Sequence, residues 1–183
     1  MKKTILLIVS LLFCISIFGA KEKQNKKVQP KQWFSFAFNG TKWKVASHQE
    51  TKETITMEWT NSGEPVTNWS ELVTAQILFT DTKQINAQRF STFFINQIKT
   101  GSIDFKVKKL LDTPDAVVFE WSHKGSGKWP AQREIVHVFR GKDAIYRLAY
   151  TVKEKSYNSF LYRVKYTYWL KTIKQAKLID QKE

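Results

Sequence analysis

The sequence predicts an α+β fold, an antiparallel sheet with helices packed on one face of it, and three observations carry that prediction. Apolar residues alternate at period two through most of the chain beyond residue 33, the spacing of half-buried strands. The period lengthens to that of a helix in two places, after residue 81 and after residue 156. Turn signals at Asn39-Gly40 and Gly141-Lys142-Asp143 join neighbouring runs as antiparallel pairs.

The chain opens with Lys2 and Lys3, an unbroken apolar and small-residue run over 5–18, then Gly19-Ala20 and the polar Lys21-Glu22-Lys23. This is the three-part pattern of a secretory signal peptide over 1–20, with cleavage expected after Ala20. The run is short of the ~20 residues that span a bilayer, so no transmembrane segment is expected after cleavage. Phe13 stands where a lipoprotein needs a small residue, so Cys14 belongs to the apolar segment. Its loss leaves no cysteine, which removes disulfides, thiol nucleophiles and cysteine-ligated zinc from consideration. The expected address is secreted or periplasmic.

Residues 21–32 (KEKQNKKVQPKQ) are basic and almost without apolar side chains, the composition of a disordered arm. Residues 33–180 read as one domain held by its core. Its first strand, over 33–38, is expected to turn at Asn39-Gly40 and return over 42–46 as a hairpin. A strand over 54–60 alternates Ile55, Met57 and Trp59 with threonines and Glu58, and another covers 72–80. Asp81 is placed to cap a helix running to Thr100, with Ala87, Phe90, Phe94 and Ile98 on one stripe and Gly101 as its stop. Strands over 104–111, 116–122, 132–139 and 144–152 follow as a meander. A last helix over 156–177 is expected to bury Leu161, Val164, Tyr168, Trp169, Thr172 and Ala176, leaving Arg163, Lys171, Lys174 and Lys177 outside.

This order of elements, with Trp43 early in the domain, resembles the α/β/α sandwich of the PsbP proteins of photosystem II. That resemblance implies a non-enzymatic binding or assembly factor. The stretch over 68–74, Asn-Trp-Ser-Glu-Leu-Val-Thr, is similar to one in uncharacterised exported bacterial proteins. Neither likeness carries functional residues across.

Charge is the strongest compositional signal. The chain has 30 Lys+Arg against 16 Asp+Glu, and without Lys2 and Lys3 the balance is 28 against 16, a net of +12. Such an excess suits anionic partners: acidic lipid headgroups, lipopolysaccharide or an acidic glycan, with another protein as a further candidate. Nucleic acid ranks last because export removes the chain from it.

Catalytic patterns are weaker. Glu58-Trp59-Thr60 and Glu120-Trp121-Ser122 repeat a Glu-Trp-hydroxyl motif, with Glu71 and Glu134 nearby in sequence. Opposed carboxylates divide acid and base roles in glycoside hydrolysis, which makes a secreted hydrolase the alternative reading. Alternation points each glutamate away from its tryptophan, so the tryptophans are assigned to the core and the glutamates to an outer face beside Arg133 and Arg147. His48, His123 and His137 lack metal-site spacing.

The connection "HKGSGKW" over 123–129 contains Gly125-Ser126-Gly127-Lys128, but Trp129 replaces the Ser/Thr of a phosphate-binding loop and Ser122 its first glycine. No cofactor is implied. His123, Lys124, Lys128 and Trp129 are instead expected to offer cations and an amphipathic ring to an anionic headgroup or a sugar face. With Arg163, Lys171, Lys174 and Lys177 they make the candidate binding set. The function expected is an exported, basic, non-enzymatic binding protein for anionic surfaces. An envelope assembly or chaperone-like factor is the further alternative, to be recognised by an apolar groove between helices and sheet.

Overall fold

The computed structural model describes residues 29–38, 42–125, 130–157 and 160–181. The expected signal peptide, arm residues 21–28, the Asn39-Gly40 turn, Lys128 and Trp129 lie outside the described residues.

Seven strands form one antiparallel sheet: β2 (Trp43–Glu50), β3 (Thr54–Asn61), β4 (Glu71–Phe79), β5 (Lys106–Asp112), β6 (Ala116–His123), β7 (Gln132–Arg140) and β8 (Ala144–Lys153). Their order across the sheet is β2-β3-β4-β8-β7-β6-β5. Helix α1 (Ala87–Lys99) joins the three-stranded run β2–β4 to the four-stranded run β5–β8, and α2 (Glu154–Tyr157) and α3 (Phe160–Gln175) follow β8. The α+β class is therefore the observed one.

The helices do not share a face, as the alternation within β8 makes plain. Ala144, Tyr146, Leu148, Tyr150 and Val152 join the cluster that includes Tyr166, Trp169 and Ile173 of α3. Ile145 and Ala149 join the cluster that includes Ala87 and Phe94 of α1. A strand buried on both sides cannot show polar alternation, so the expectation of one helical face and one open face is corrected to three layers. The sheet centre reads as a near-continuous apolar run for the same reason.

Three boundaries also change. The first strand, β1 (Gln32–Ser35), does not turn back onto β2; it pairs antiparallel with β9 (Lys177–Asp180) in a separate ribbon, with Phe34 opposite Leu178. Pro30 is buried and the Lys31 amide donates to Asp143 Oδ2 at 2.9 Å, so the domain begins before Trp33. Helix α1 is capped by Asn86, whose side chain accepts from the Arg89 amide at 2.8 Å, while Asp81 organises only the preceding turn through the Lys83 amide.

The ribbon is fixed to the β7–β8 turn. Gln32 accepts from the Lys142 amide at 2.9 Å, Tyr146 donates to Asp143 at 3.0 Å, and Lys142 pairs with Asp180 at 2.7 Å. A Cβ on Gly141 would meet the Tyr146 ring at 2.2 Å, so the turn needs glycine for that close approach.

Candidate anionic-surface interface

The eight predicted binding residues separate into three groups. Two of them, Lys128 and Trp129, lie outside the described residues. His123 ends β6 and Lys124 follows it, and neither is a free cation. His123 is buried against Trp121, and burial holds its imidazole below the usual range, against the charged form. Its expected role as a cation is corrected. Lys124 is exposed but reaches Asp104 at 3.1 Å, and this contact, with Lys106, holds the Asp104 carboxyl below the usual range.

The third group is on and beyond α3. Arg163, Lys171 and Lys174 are exposed there, and no ion pair engages them among the described residues. Lys177 is not part of the helix, because α3 ends at Gln175 and Lys177 opens β9 opposite Ser35. There it borders an open groove of about 390 Å³ with His137, Phe139 and Arg140.

Helix α3 buries Trp169 as expected, and Ala176 just beyond it is buried too, but the rest of its inner face differs from expectation. Tyr166, Trp169 and Ile173 point inward, and Trp169 stacks on Tyr150 at 4.9 Å with ring planes 10° apart. Two polar contacts fix the helix to the sheet. Lys165 Nζ donates to the fully buried Glu71 carboxylate at 2.7 Å, beside Tyr150 at 2.8 Å and Asn61 at 3.1 Å. His137 Nδ1 donates to the Ile173 carbonyl at 2.8 Å. Because a carbonyl only accepts, the imidazole proton sits on Nδ1, and burial pushes the His137 pKa down to about 4.

The expected inner residues Leu161, Val164 and Tyr168 are therefore on the outside. With Phe160 they are 60%, 52%, 38% and 74% exposed respectively. Phe160, Val164 and Tyr168 are spaced i, i+4, i+8 and form one row along the helix, with Leu161 beside it. Arg163 and Lys171, again at helical spacing, form the adjoining row, and Lys174 continues it one turn on. The result is an apolar stripe bordered by cations on a helix whose opposite side is already packed. A second open groove, of about 310 Å³, lies between residues 36–37 and the C-terminal half of α3, bordered by Phe36, Tyr168 and Lys171.

The sequence held a signal for this stripe. Residues 160–170 contain eight apolar or aromatic side chains in eleven positions, more than one buried face can take.

The glutamates are distributed by the same alternation. Glu58 is buried on the α1 face, where desolvation raises its pKa and the charge of Arg147 opposes the rise. Glu134 shares that face; it pairs with Arg147 and accepts from Thr151 at 2.8 Å and Trp121 at 3.1 Å. Arg147 in turn lies over the Phe94 ring of α1 at 4.7 Å. Glu71 is on the α3 face, and so is Glu120, whose strand neighbours Phe119 and Trp121 turn the other way. The expected outer face for Glu58 and Glu120 is thus corrected: the two point to opposite sides of the sheet. Glu71 and Glu120 share a side but lie three strands apart, about 14 Å across the sheet. Glu58, Glu71 and Glu120 supply no opposed carboxylate pair at hydrolytic spacing.

Among the described residues no helix is long and apolar enough to cross a membrane. No known protein-family model matches the chain, and no curated protein is similar to it.

Proposed function

We propose that this is an exported, basic, non-enzymatic protein that binds anionic surfaces, and that α3 carries the binding. The observation behind this reading is the row of Arg163, Lys171 and Lys174, exposed and free of ion pairs among the described residues, on the outer side of a helix pinned at its inner side. A net charge of +12 on the chain without Lys2 and Lys3, 28 Lys+Arg against 16 Asp+Glu, supplies the field that brings an anionic surface near, and the row of cations supplies a place for it to rest. Of loop 123–129, the two candidate residues that are described add less than α3 does, since His123 is buried and Lys124 is engaged by Asp104.

Retention on heparin-agarose and co-sedimentation with vesicles of phosphatidylglycerol test the reading together. The chain is expected to bind both at low salt and to release progressively as salt shortens the range of the field. Replacing Arg163, Lys171 and Lys174 together by glutamine is expected to lower both by about tenfold, and negligible binding of the unaltered chain to both supports would overturn the proposal.

A second reading, as an envelope assembly factor, is favoured by the groove between residues 36–37 and α3. At about 310 Å³ it admits one large apolar side chain of a client rather than a length of polypeptide. Alanine at Tyr168 would weaken client capture without changing heparin retention.

A further inference from the structure

We infer that the outer face of α3 seats in the interface of an acidic phospholipid bilayer, with Phe160, Leu161, Val164 and Tyr168 below the headgroups and Arg163, Lys171 and Lys174 at phosphate depth. The inference rests on the anionic-surface reading above and names which surface it is.

Cations alone would serve a glycan, a nucleic acid or a lipid equally. The adjoining apolar row separates them. A sugar face can stack on Phe160 or Tyr168 but leaves Leu161 and Val164 in water, whereas a bilayer interface accepts all four a few ångströms below its phosphates. The geometry suits that depth. The helix covers sixteen residues, about 24 Å, and presents its stripe along one side, so it can lie flat in the plane of the surface. Lysine and arginine stems are themselves apolar, which lets Arg163 and Lys171 follow the stripe downward while their charged ends remain with the phosphates.

A second copy of this chain is the competing occupant for an apolar helix face. Two copies packed stripe to stripe would bring Arg163, Lys171 and Lys174 of each close to those of the other, with no acidic residue on the outer side of α3 to answer them. Like charges across an interface oppose that pairing, and an acidic leaflet reverses the sign.

The test compares three forms of the full chain: unaltered, Phe160→Ser with Leu161→Ser, and Lys171→Gln with Lys174→Gln. Each is sedimented with vesicles of equal parts phosphatidylglycerol and phosphatidylcholine, and with phosphatidylcholine alone, at about 0.1 M and about 0.5 M salt. Residues 1–20 are common to all three, so differences among the forms belong to α3. The unaltered chain is expected to keep a salt-resistant fraction on the acidic vesicles. The serine form should lose that fraction about tenfold while its heparin retention is unchanged, and the glutamine form should lose mainly the low-salt binding.

If the serine form binds acidic vesicles as the unaltered chain does at both salts, insertion is wrong and the anionic-surface reading stands. Insertion is equally wrong if the unaltered chain is held by heparin and ignores acidic vesicles. A dimer in sedimentation velocity that the serine form abolishes assigns the stripe to a second copy instead. Absence of binding to either support removes both proposals. Val164→Asn, a single exposed change, repeats the comparison should the double serine form shift the unfolding transition.

Discussion

Helices α1 and α3 cover opposite faces of one sheet and are held there by different means. Helix α1 is placed by shape: Ala87 and Phe94 are buried, Phe90, Ile95 and Ile98 pack beside them, and Asn86 closes its first turn. Charge meets it from the sheet where Arg147 lies over Phe94. Helix α3 buries Tyr166, Trp169 and Ile173 but is also pinned by ion pair and hydrogen bond, Lys165 to Glu71 and Ile173 to His137. Polar pins fix orientation without consuming apolar surface. A helix held in this way can leave apolar residues outside, and α3 leaves four where α1 leaves Phe93.

The sharpest way to break the comparison is to truncate the inner face of each helix. Trp169→Ala removes a fully buried indole stacked on Tyr150 and is expected to cost about 4 kcal/mol. Phe94→Ala, which empties the α1 core and uncovers Arg147, should cost about 3 kcal/mol. Urea midpoints of the two variants measure both. Equal and small losses would mean that neither helix is packed as described.

Glu71 tests the polar pin directly. Its carboxylate accepts from Lys165, Tyr150 and Asn61 while almost wholly buried, so Glu71→Ala leaves three donors facing one another without an acceptor. A loss of about 3 kcal/mol is expected, in the range for breaking a buried pair. Glu71→Leu in combination with Lys165→Met should recover part of it, since the charged donor goes together with its acceptor and only the neutral Tyr150 and Asn61 groups lose theirs. If the double variant is no better than Glu71→Ala, the cost came from packing and α3 is held as α1 is.

What is legible in the sequence divides along the same line. The stripe of α1 can be read because Ala87, Phe90, Phe94 and Ile98 are the one apolar side of that helix, and only its start is ambiguous, Asp81 and Asn86 both being capping residues. The stripe of α3 misleads because the helix has two apolar sides and spacing cannot say which one meets the sheet. The hairpin expected at Asn39-Gly40 gives way for another reason. Gln32 pairs with Asp180, and a partner so far along the chain leaves no local trace. Central strands fall within two residues of their expected bounds, yet burial on both faces hides the layer count, which shows only in the assignment of Ile145 and Tyr146 to different clusters.

Acid provides a smaller, graded probe of the second pin. His137 has its pKa lowered to about 4, so the folded chain prefers the neutral imidazole. Its contribution to stability is fully present above the unfolded value near 6.5 and is lost as pH falls towards 4, by at most about 1.4 kcal/mol per pH unit. Glu58 acts in the opposite sense. Its raised pKa gives stability that is present below about 4.5 and is lost as pH rises through the folded value. The urea midpoint is therefore expected to fall between pH 6 and pH 4 less steeply than His137 alone would dictate, and to fall more steeply in Glu58→Gln. His137→Gln should flatten the decline, and an unchanged slope would mean that protonation elsewhere governs it.

The smallest expected effect is the one that separates the two sides of α3. Phe160 and Leu161 are mostly exposed, so replacing both by serine removes little buried area and leaves the Lys165 and Ile173 contacts in place. Stability is expected to change by no more than about 0.5 kcal/mol, the range of ordinary surface substitutions. Serine also shortens an exposed apolar patch, which favours solubility and adds no strain to a helix already held at its other side. The same pair of substitutions on the inner side, at Tyr166 and Ile173, should prevent folding. A loss above about 2 kcal/mol from the outer pair would show that Phe160 and Leu161 pack against part of this chain, and the contrast between a one-sided α1 and a two-sided α3 would then collapse.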